Sequence, residues 1–134
     1  MGKKMASLII TAALMLPLLV SCGDTAEKYP GEKNVEFNFT EGFIINVSDD
    51  DRQYVKCAVM LEVNDAKLLP VLTERQNRLR DHVVDLISAR TKDEVRQTSV
   101  KDAILTDLVT LVNEALNTES VMAAYFTEYT PIRQ

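Results

Sequence analysis

The sequence predicts an α+β domain in which helices pack on one face of a small antiparallel sheet. Aromatic and β-branched residues are concentrated from 36 to 47, and apolar residues alternate from 55 to 63. Apolar residues follow helical spacing between 68 and 116, and strand-forming residues return from 121 to 129. Alternation is typical of strands, and a 3.6-residue spacing is typical of amphipathic helices. Helices that lie in sequence between the strands of one sheet pack against that sheet.

The first segment, residues 1–21, is predicted to be a lipoprotein signal peptide. Two lysines precede an apolar run of 16 residues, from 5 to 20, which ends on small residues before Cys22. This arrangement is typical of export signals, and Leu-Val-Ser-Cys at 19–22 fits the bacterial lipobox, so Cys22 is the predicted lipid attachment site. The alternative is an uncleaved N-terminal membrane helix, although the run is shorter than the ~20 residues that span a bilayer.

Residues 22–35 are predicted to form the lipidated N-terminus and a flexible linker, because they are polar, contain two glycines and one proline, and lack periodicity. Removal of the signal takes Lys3 and Lys4 with it and changes the net charge from −5 to −7. An acidic domain without a basic cluster argues against nucleic acid and anionic lipid as direct ligands.

The domain itself is predicted over residues 36–134. Its first strand covers 36–47, with a bulge or bend near Glu41-Gly42, and an acidic turn joins it to a second strand at 55–63, which makes an antiparallel hairpin. Cys57 lies in the second strand and is predicted to be a small buried hydrophobe. A Cys22–Cys57 disulfide is the alternative if Cys22 is not acylated.

Two helical stretches follow. Asn64-Asp65 can cap the first, which has Pro70 in its first turn and an apolar gap between Leu72 and Leu79 that indicates either a break or an exposed middle. Thr91 and Glu94 match a capping box. Ser99 and Asp102 approximate a second box, predicted to open a strong amphipathic helix that Asn117-Thr118 ends.

The last strand is predicted to begin near Val121 and to end at Pro131. It could lie at an open sheet edge, where a neighbouring strand can be added. Tyr125, Phe126 and Tyr129 together exceed what one face of a strand can bury, so they are candidate interface residues. The alternative, that all three are core or shielded, is equally open, since tyrosines are commonly half-buried.

The sequence contains few residues in arrangements that are typical of catalytic or metal-binding sites. His82 is the single histidine and lies between Asp81 and Asp85 without a second ligand type or a nucleophile nearby, which predicts a solvated surface residue. The run Asp49-Asp50-Asp51 lacks the glycine and distal glutamate of a calcium loop, which favours a turn. We therefore predict a non-enzymatic binding or scaffolding protein with no cofactor and no metal.

Several local sequences, in order, resemble the FliL family of flagellar basal-body-associated proteins. The resemblance covers roughly residues 37–134. The matching stretches are two strand-like segments (43–47 and 54–62), one helix (79–88) and the C-terminal strand (125–129). Three smaller matches are the capping pair Thr91 with Glu94, Asn113 with Leu116 in the last helix, and Gln134.

The resemblance implies a periplasmic domain similar to the SPFH (stomatin-like) fold, assembled into a ring around the stator units of the flagellar motor. The expected location is the periplasmic side of the inner membrane, at the basal body. The sequence departs from the family pattern in its lipobox, which replaces a transmembrane helix, and in Pro131. The leading hypothesis is thus an accessory that associates with stators and supports rotation and motility; the alternative is an envelope lipoprotein that binds a small ligand or a partner protein.

Overall fold

The structure, a computed structural model, describes residues 33–134. The predicted signal peptide, Cys22 and most of the predicted linker lie outside the described residues. In chain order the elements are β1 (Val35–Asn38), β2 (Phe43–Asn46), β3 (Gln53–Val63), α1 (Leu68–Ser88), a short 3₁₀ helix (Glu94–Arg96), α2 (Thr98–Leu116) and β4 (Val121–Arg133). This small antiparallel sheet with two helices confirms the α+β fold class.

The long strand β3 is the centre of the sheet, and all its pairings are antiparallel. Leu61 pairs with Phe37 of β1 on one side and with Ala124 of β4 on the other. Cys57 likewise lies between β2 and β4. The strands β1 and β2 therefore follow one another along one edge of β3, while β4 runs along the opposite edge.

Alternation in β3 separates a buried face from an open face. Its odd-numbered residues from Gln53 to Val63 are buried, while the even-numbered ones between them are exposed or half-buried. Both helices contribute to the buried side, so they pack on one face of the sheet. The largest fully buried apolar side chains there are Val55, Leu61, Val63, Leu72, Leu79, Val83, Ile87, Val95, Ile104, Leu108 and Val112.

The predicted bend near Glu41-Gly42 is a break between two strands. The chain takes six residues from Phe37 to Phe43 while β3 takes four from Leu61 to Cys57, so the register changes across the break. Phe39, inside the break, is buried and makes edge contacts with Phe37 and Phe43 at centroid distances of 5.3 and 5.5 Å. The chain thus leaves the sheet briefly without exposing its aromatic residues.

The first helix, α1, is continuous and has an exposed middle. Of the two interpretations of its apolar gap, a break or an exposed middle, the second is therefore correct. Residues 73–75 and 77–78 are exposed, while Leu72 and Leu79 on either side are buried. Pro70 lies in the first turn, where its missing N–H costs little. The predicted cap at Asn64-Asp65 is wrong, because the N-cap of α1 is Lys67 and makes no side-chain capping bond. Asp65 instead accepts a hydrogen bond from the Lys67 N–H at 2.9 Å, in the turn that leads into the helix.

Of the two predicted capping boxes, one is correct. Thr91 N–H donates to Glu94 Oε2 at 2.8 Å and Glu94 N–H donates to Thr91 Oγ1 at 3.3 Å, and the box opens the 3₁₀ helix. The second box is wrong, because α2 begins at Thr98 and its N-cap, Gln97, makes no side-chain capping bond. The 3₁₀ helix delivers the chain to Gln97 in extended conformation, which places Ser99 inside the helix.

At its other end α2 stops as predicted. Asn117 has φ 49° and ψ 53°, the left-handed conformation that ends many helices. The prediction that Pro131 ends the last strand is wrong, since β4 continues to Arg133 and Pro131 pairs with Val55. A proline is tolerated here because β4 has a described neighbour on one side only, so its missing N–H can face away from β3.

Candidate interaction surfaces

Two bulges decide which way the β4 side chains point. Ala58 pairs with Glu128 and Val59 with Phe126, so Thr127 has no partner in β3; Met122 is skipped in the same way near the start of β4. Because side chains alternate along a strand, the extra residue Thr127 shifts the alternation by one position, so that its neighbours Phe126 and Glu128 lie on opposite faces of the sheet. The first bulge is the reason that Phe126 and Tyr129 both lie toward the core.

The three candidate interface residues are accordingly divided between the two faces. Phe126 and Tyr129 are half-buried and pack against the core, with ring centroids 4.6 Å apart. Tyr125 pairs with Met60 on the other face and is 45% exposed. Of these three residues, Tyr125 alone lies on the open face of the sheet.

Tyr129 fixes the strand to the helical layer. Its hydroxyl donates to the Val95 carbonyl at 2.8 Å, and the Lys101 Nζ lies 5.3 Å from its ring centroid. Burial, with a smaller contribution from Cys57, raises the pKa of Tyr129 to about 12. The phenol therefore stays protonated at neutral pH and remains a hydrogen-bond donor.

The open face of the sheet combines apolar and charged groups. Ile44 is 72% exposed and pairs with Lys56, whose Nζ lies 3.1 Å from Glu128 Oε1. Glu62 accepts hydrogen bonds from the Asn34 amide and, at 3.4 Å, from the Tyr125 hydroxyl. A surface ion pair of this kind contributes little stability, ~0–1 kcal/mol.

Asn113 of α2 closes the start of the β4 edge. Its Nδ2 donates to the Val121 carbonyl at 2.9 Å, and its Oδ1 accepts from the Val121 N–H at 3.1 Å. One side-chain amide thus makes the two bonds that another strand would make. Beyond Val121, among the described residues, β4 pairs with β3 alone.

A groove runs between α2 and the β4 edge. One part, of about 290 Å³, is lined mostly by apolar groups of Leu105, Val109, Met122, Ala123 and Ala124, together with two threonines. It adjoins, at Val109 and Thr110, a larger polar depression of about 640 Å³ around the C-terminal end of α2. No local pattern in the sequence indicates this groove.

A separate pocket of about 380 Å³ lies between α1, the 3₁₀ segment and α2. It is lined by His82, Asp85, Leu86, Ala89, Arg90, Glu94 and Leu111. His82 was predicted to be a solvated surface residue; it is half-buried, and its Nε2 is buried without a hydrogen-bond partner. The difference arises because α2 packs against α1, and His82 lies in the pocket that these helices form with the 3₁₀ segment.

The predicted turn at Asp49-Asp50-Asp51 is present, and its carboxylates bind backbone groups. Asp49 Oδ1 accepts from the Lys92 N–H at 2.8 Å, and Asp50 Oδ1 accepts from the Arg52 N–H at 3.0 Å. This last bond holds the pKa of Asp50 below its ordinary value. Within residues 33–134, no three His, Cys, Asp or Glu side chains are grouped so that they could hold a metal ion.

Cys57 is buried in β3, as predicted, and burial raises the pKa of its thiol to about 12. Cys22, the predicted lipid attachment site, lies outside the described residues. Among the helices that are described, none is both long enough and apolar enough to span a bilayer.

The structure is thus a small α+β domain with an open sheet face and a groove beside its edge strand. A family profile described as "Flagellar basal body-associated protein FliL" matches residues 37–130, from β1 through most of β4. A flagellar protein FliL of Aquifex aeolicus (strain VF5) is 25% identical over 101 residues, which are 75% of this chain and 63% of that relative. The aligned part thus spans less than two thirds of the relative's length.

The chain belongs to the FliL family of flagellar basal-body-associated proteins, because the profile matches well over half of it. This confirms the family that the local sequences resemble. Asn113, one of the residues that carry the resemblance, has a structural role in closing the β4 edge.

Proposed function

We propose that this protein is a non-enzymatic accessory of the flagellar motor that associates with the stator units and supports rotation and motility. Family membership supports a place at the basal body. The open face of the sheet, with Ile44 and Tyr125 exposed, carries the proposal further, because exposed apolar and aromatic side chains are typical of protein contacts.

The proposed location is the periplasmic side of the inner membrane. Attachment is through a lipid on Cys22 after removal of residues 1–21, or through an uncleaved N-terminal helix. Residues 23–35, fully extended, span at most ~40 Å and so set how far the domain can reach from the bilayer.

Association into a homo-oligomeric ring is part of the same proposal. A ring requires a head-to-tail contact whose rotation closes on itself. Tyr125 is the proposed anchor of that contact, with Ile44 on the same face; Phe126 and Tyr129, which pack inward, support the position of Tyr125 rather than form the contact.

The experiment is deletion of the gene followed by measurement of swimming speed in media of increasing viscosity, because stator support matters most under load. We expect flagella to be assembled and speed to fall more steeply with viscosity than in the parent strain. The wild-type gene restores speed, and Tyr125→Ala restores it only in part. Unchanged motility of the deletion strain, with intact flagella, would contradict the proposal.

The alternative function is small-ligand binding by an envelope lipoprotein, and the pocket that contains His82, Asp85, Arg90 and Glu94 favours it, because polar groups of both signs converge there. A deletion strain with normal motility and an altered envelope would support this alternative.

A further inference from the structure

The β4 edge is protected at its two ends and open in the middle. At the first end, the Asn113 amide occupies both outward backbone groups of Val121. At the other end, Pro131 has no N–H to offer. The segment from Met122 to Thr127 has neither device, and in the part of the chain that the structure describes it pairs with β3 only.

The groove lies directly beside this open segment. Met122, the extra residue of a bulge, is 53% exposed and lines the groove together with Leu105 and Val109 of α2. An extended chain added along the edge would place alternate side chains in the groove and the others over the open face beside Tyr125.

The continuation of the groove is acidic. Its lining includes Glu114 and Glu119, both exposed, and no basic residue. It also surrounds the C-terminal end of α2, where helix carbonyls concentrate partial negative charge. A cationic side chain at one end of an added strand would therefore be attracted to this depression.

We propose that the groove between α2 and β4 binds an extended segment of a partner protein by strand addition, and that this segment carries apolar residues at alternate positions and lysine or arginine at the end next to Glu114 and Glu119. The inference builds on the proposed role as a docking domain of the motor and specifies the chemistry of one partner. The acidic depression around Glu114 and Glu119 favours a positively charged partner over a second copy of this chain, whose net charge is −5.

The probe is a fluorescent peptide of alternating valine and threonine that ends in two lysines, titrated against the full chain in a nonionic detergent. We expect saturable binding, weakened about tenfold or more by Met122→Asp and by the pair Glu114→Lys and Glu119→Lys. Glu74→Lys, on the exposed side of α1, is the matched control and leaves binding unchanged. Circular dichroism checks that each variant is folded.

Two altered peptides distinguish strand addition from other binding. Methylation of alternate backbone nitrogens removes the donors that pair with an edge and abolishes binding, and replacement of the lysines by glutamates weakens it. Equal binding of the methylated peptide overturns the proposal, as does binding that Tyr125→Ala abolishes and Met122→Asp does not.

If the chain self-associates and Met122→Asp abolishes that self-association, the occupant of the groove is a second copy of the chain. This outcome also overturns the proposal. Peptide binding and motility are independent measurements. If the peptide does not bind but the deletion strain swims poorly under load, this inference alone is removed. If the peptide binds but the deletion strain swims normally, the proposed motor function is removed.

Discussion

At the scale of single residues, Asn113 shows how one side chain can substitute for a strand. Both outward backbone groups of Val121 would otherwise lie buried at the junction of α2 and β4, since Val121 is 2% exposed. Unpaired buried backbone groups are costly. The Asn113 amide provides one donor and one acceptor at the spacing the strand requires, which alanine and aspartate cannot do.

We predict that Asn113→Ala lowers the free energy of unfolding by about 2–3 kcal/mol, because two buried groups lose their partners. The better helix propensity of alanine offsets only about 0.5 kcal/mol of this loss. Urea unfolding followed by circular dichroism measures the effect. Glu114→Ala, at the next and exposed position, is the control and changes stability by no more than about 0.5 kcal/mol; equal values for the two variants would contradict the assigned role.

At the scale of elements, the break between β1 and β2 depends on α1. Arg80 donates to the carbonyls of Glu41 and Gly42 at 2.6 and 2.9 Å, and its guanidinium lies 4.1 Å from the Phe43 ring centroid. Thr40 donates to Gln76 Oε1 from its hydroxyl at 2.8 Å. The polar middle of α1 therefore satisfies the backbone that leaves the sheet.

We predict that Arg80→Met lowers the free energy of unfolding by about 1–3 kcal/mol, because the two carbonyls lose charge-assisted bonds and Phe43 loses its cation. Arg78→Met, the same change at an exposed position on the same helix, is the matched control. The measurement is the urea midpoint of each variant against the wild type. A midpoint as low for Arg78→Met would assign the loss to helix charge rather than to the break.

These elements also indicate how far local sequence determines the fold. The β3 alternation and the box of Thr91 and Glu94 were predicted correctly because each depends on residues close together in the chain. The role of Arg80 was not predictable, since its partners lie about forty positions away. The start of α2 and the course of β4 past Pro131 were mispredicted for the same reason: a neighbouring element sets each of them.

For the candidate interface residues, too, local sequence determines some features and the packing of distant elements determines the others. The number of aromatic residues in β4 correctly indicated that one face could not bury them all, but the sequence could not show which ring would be left outside. That choice depends on the bulge at Thr127, which is visible only when β4 is set against β3. Exposure of Met122 and the groove beside it require the packing of α2 and have no local signal.

At the scale of the whole molecule, the sheet has two distinct ends. The predicted linker enters at Val35, beside Val63 and Val121, whereas the 47–52 turn and the C-terminus lie at the opposite end, where the Gln134 N–H donates to the Arg52 carbonyl at 2.9 Å. The acidic depression near Glu119 is thus at the end where the tether would attach.

The two cysteines make this tether measurable. Cys57 is 1% exposed, and burial raises the pKa of its thiol to about 12, so almost no reactive thiolate exists at neutral pH. If Cys22 carries a lipid, the protein purified from membranes has no thiol that reacts with Ellman's reagent while folded and one that reacts in denaturant. Cys57→Ala abolishes the reaction in denaturant, which assigns the signal.

Any other number of reactive thiols, in the folded or the denatured protein, would indicate a different state of Cys22. A thiol that reacts in the folded protein means that Cys22 is not acylated, and the membrane must then be reached by an uncleaved helix. No reactive thiol in denaturant until a reductant is added means a Cys22–Cys57 disulfide, which would require the fold to open, because Cys57 lies in the central strand between β2 and β4. Unfolding should therefore expose one thiol, because the buried position of Cys57 and an acylated Cys22 leave no other.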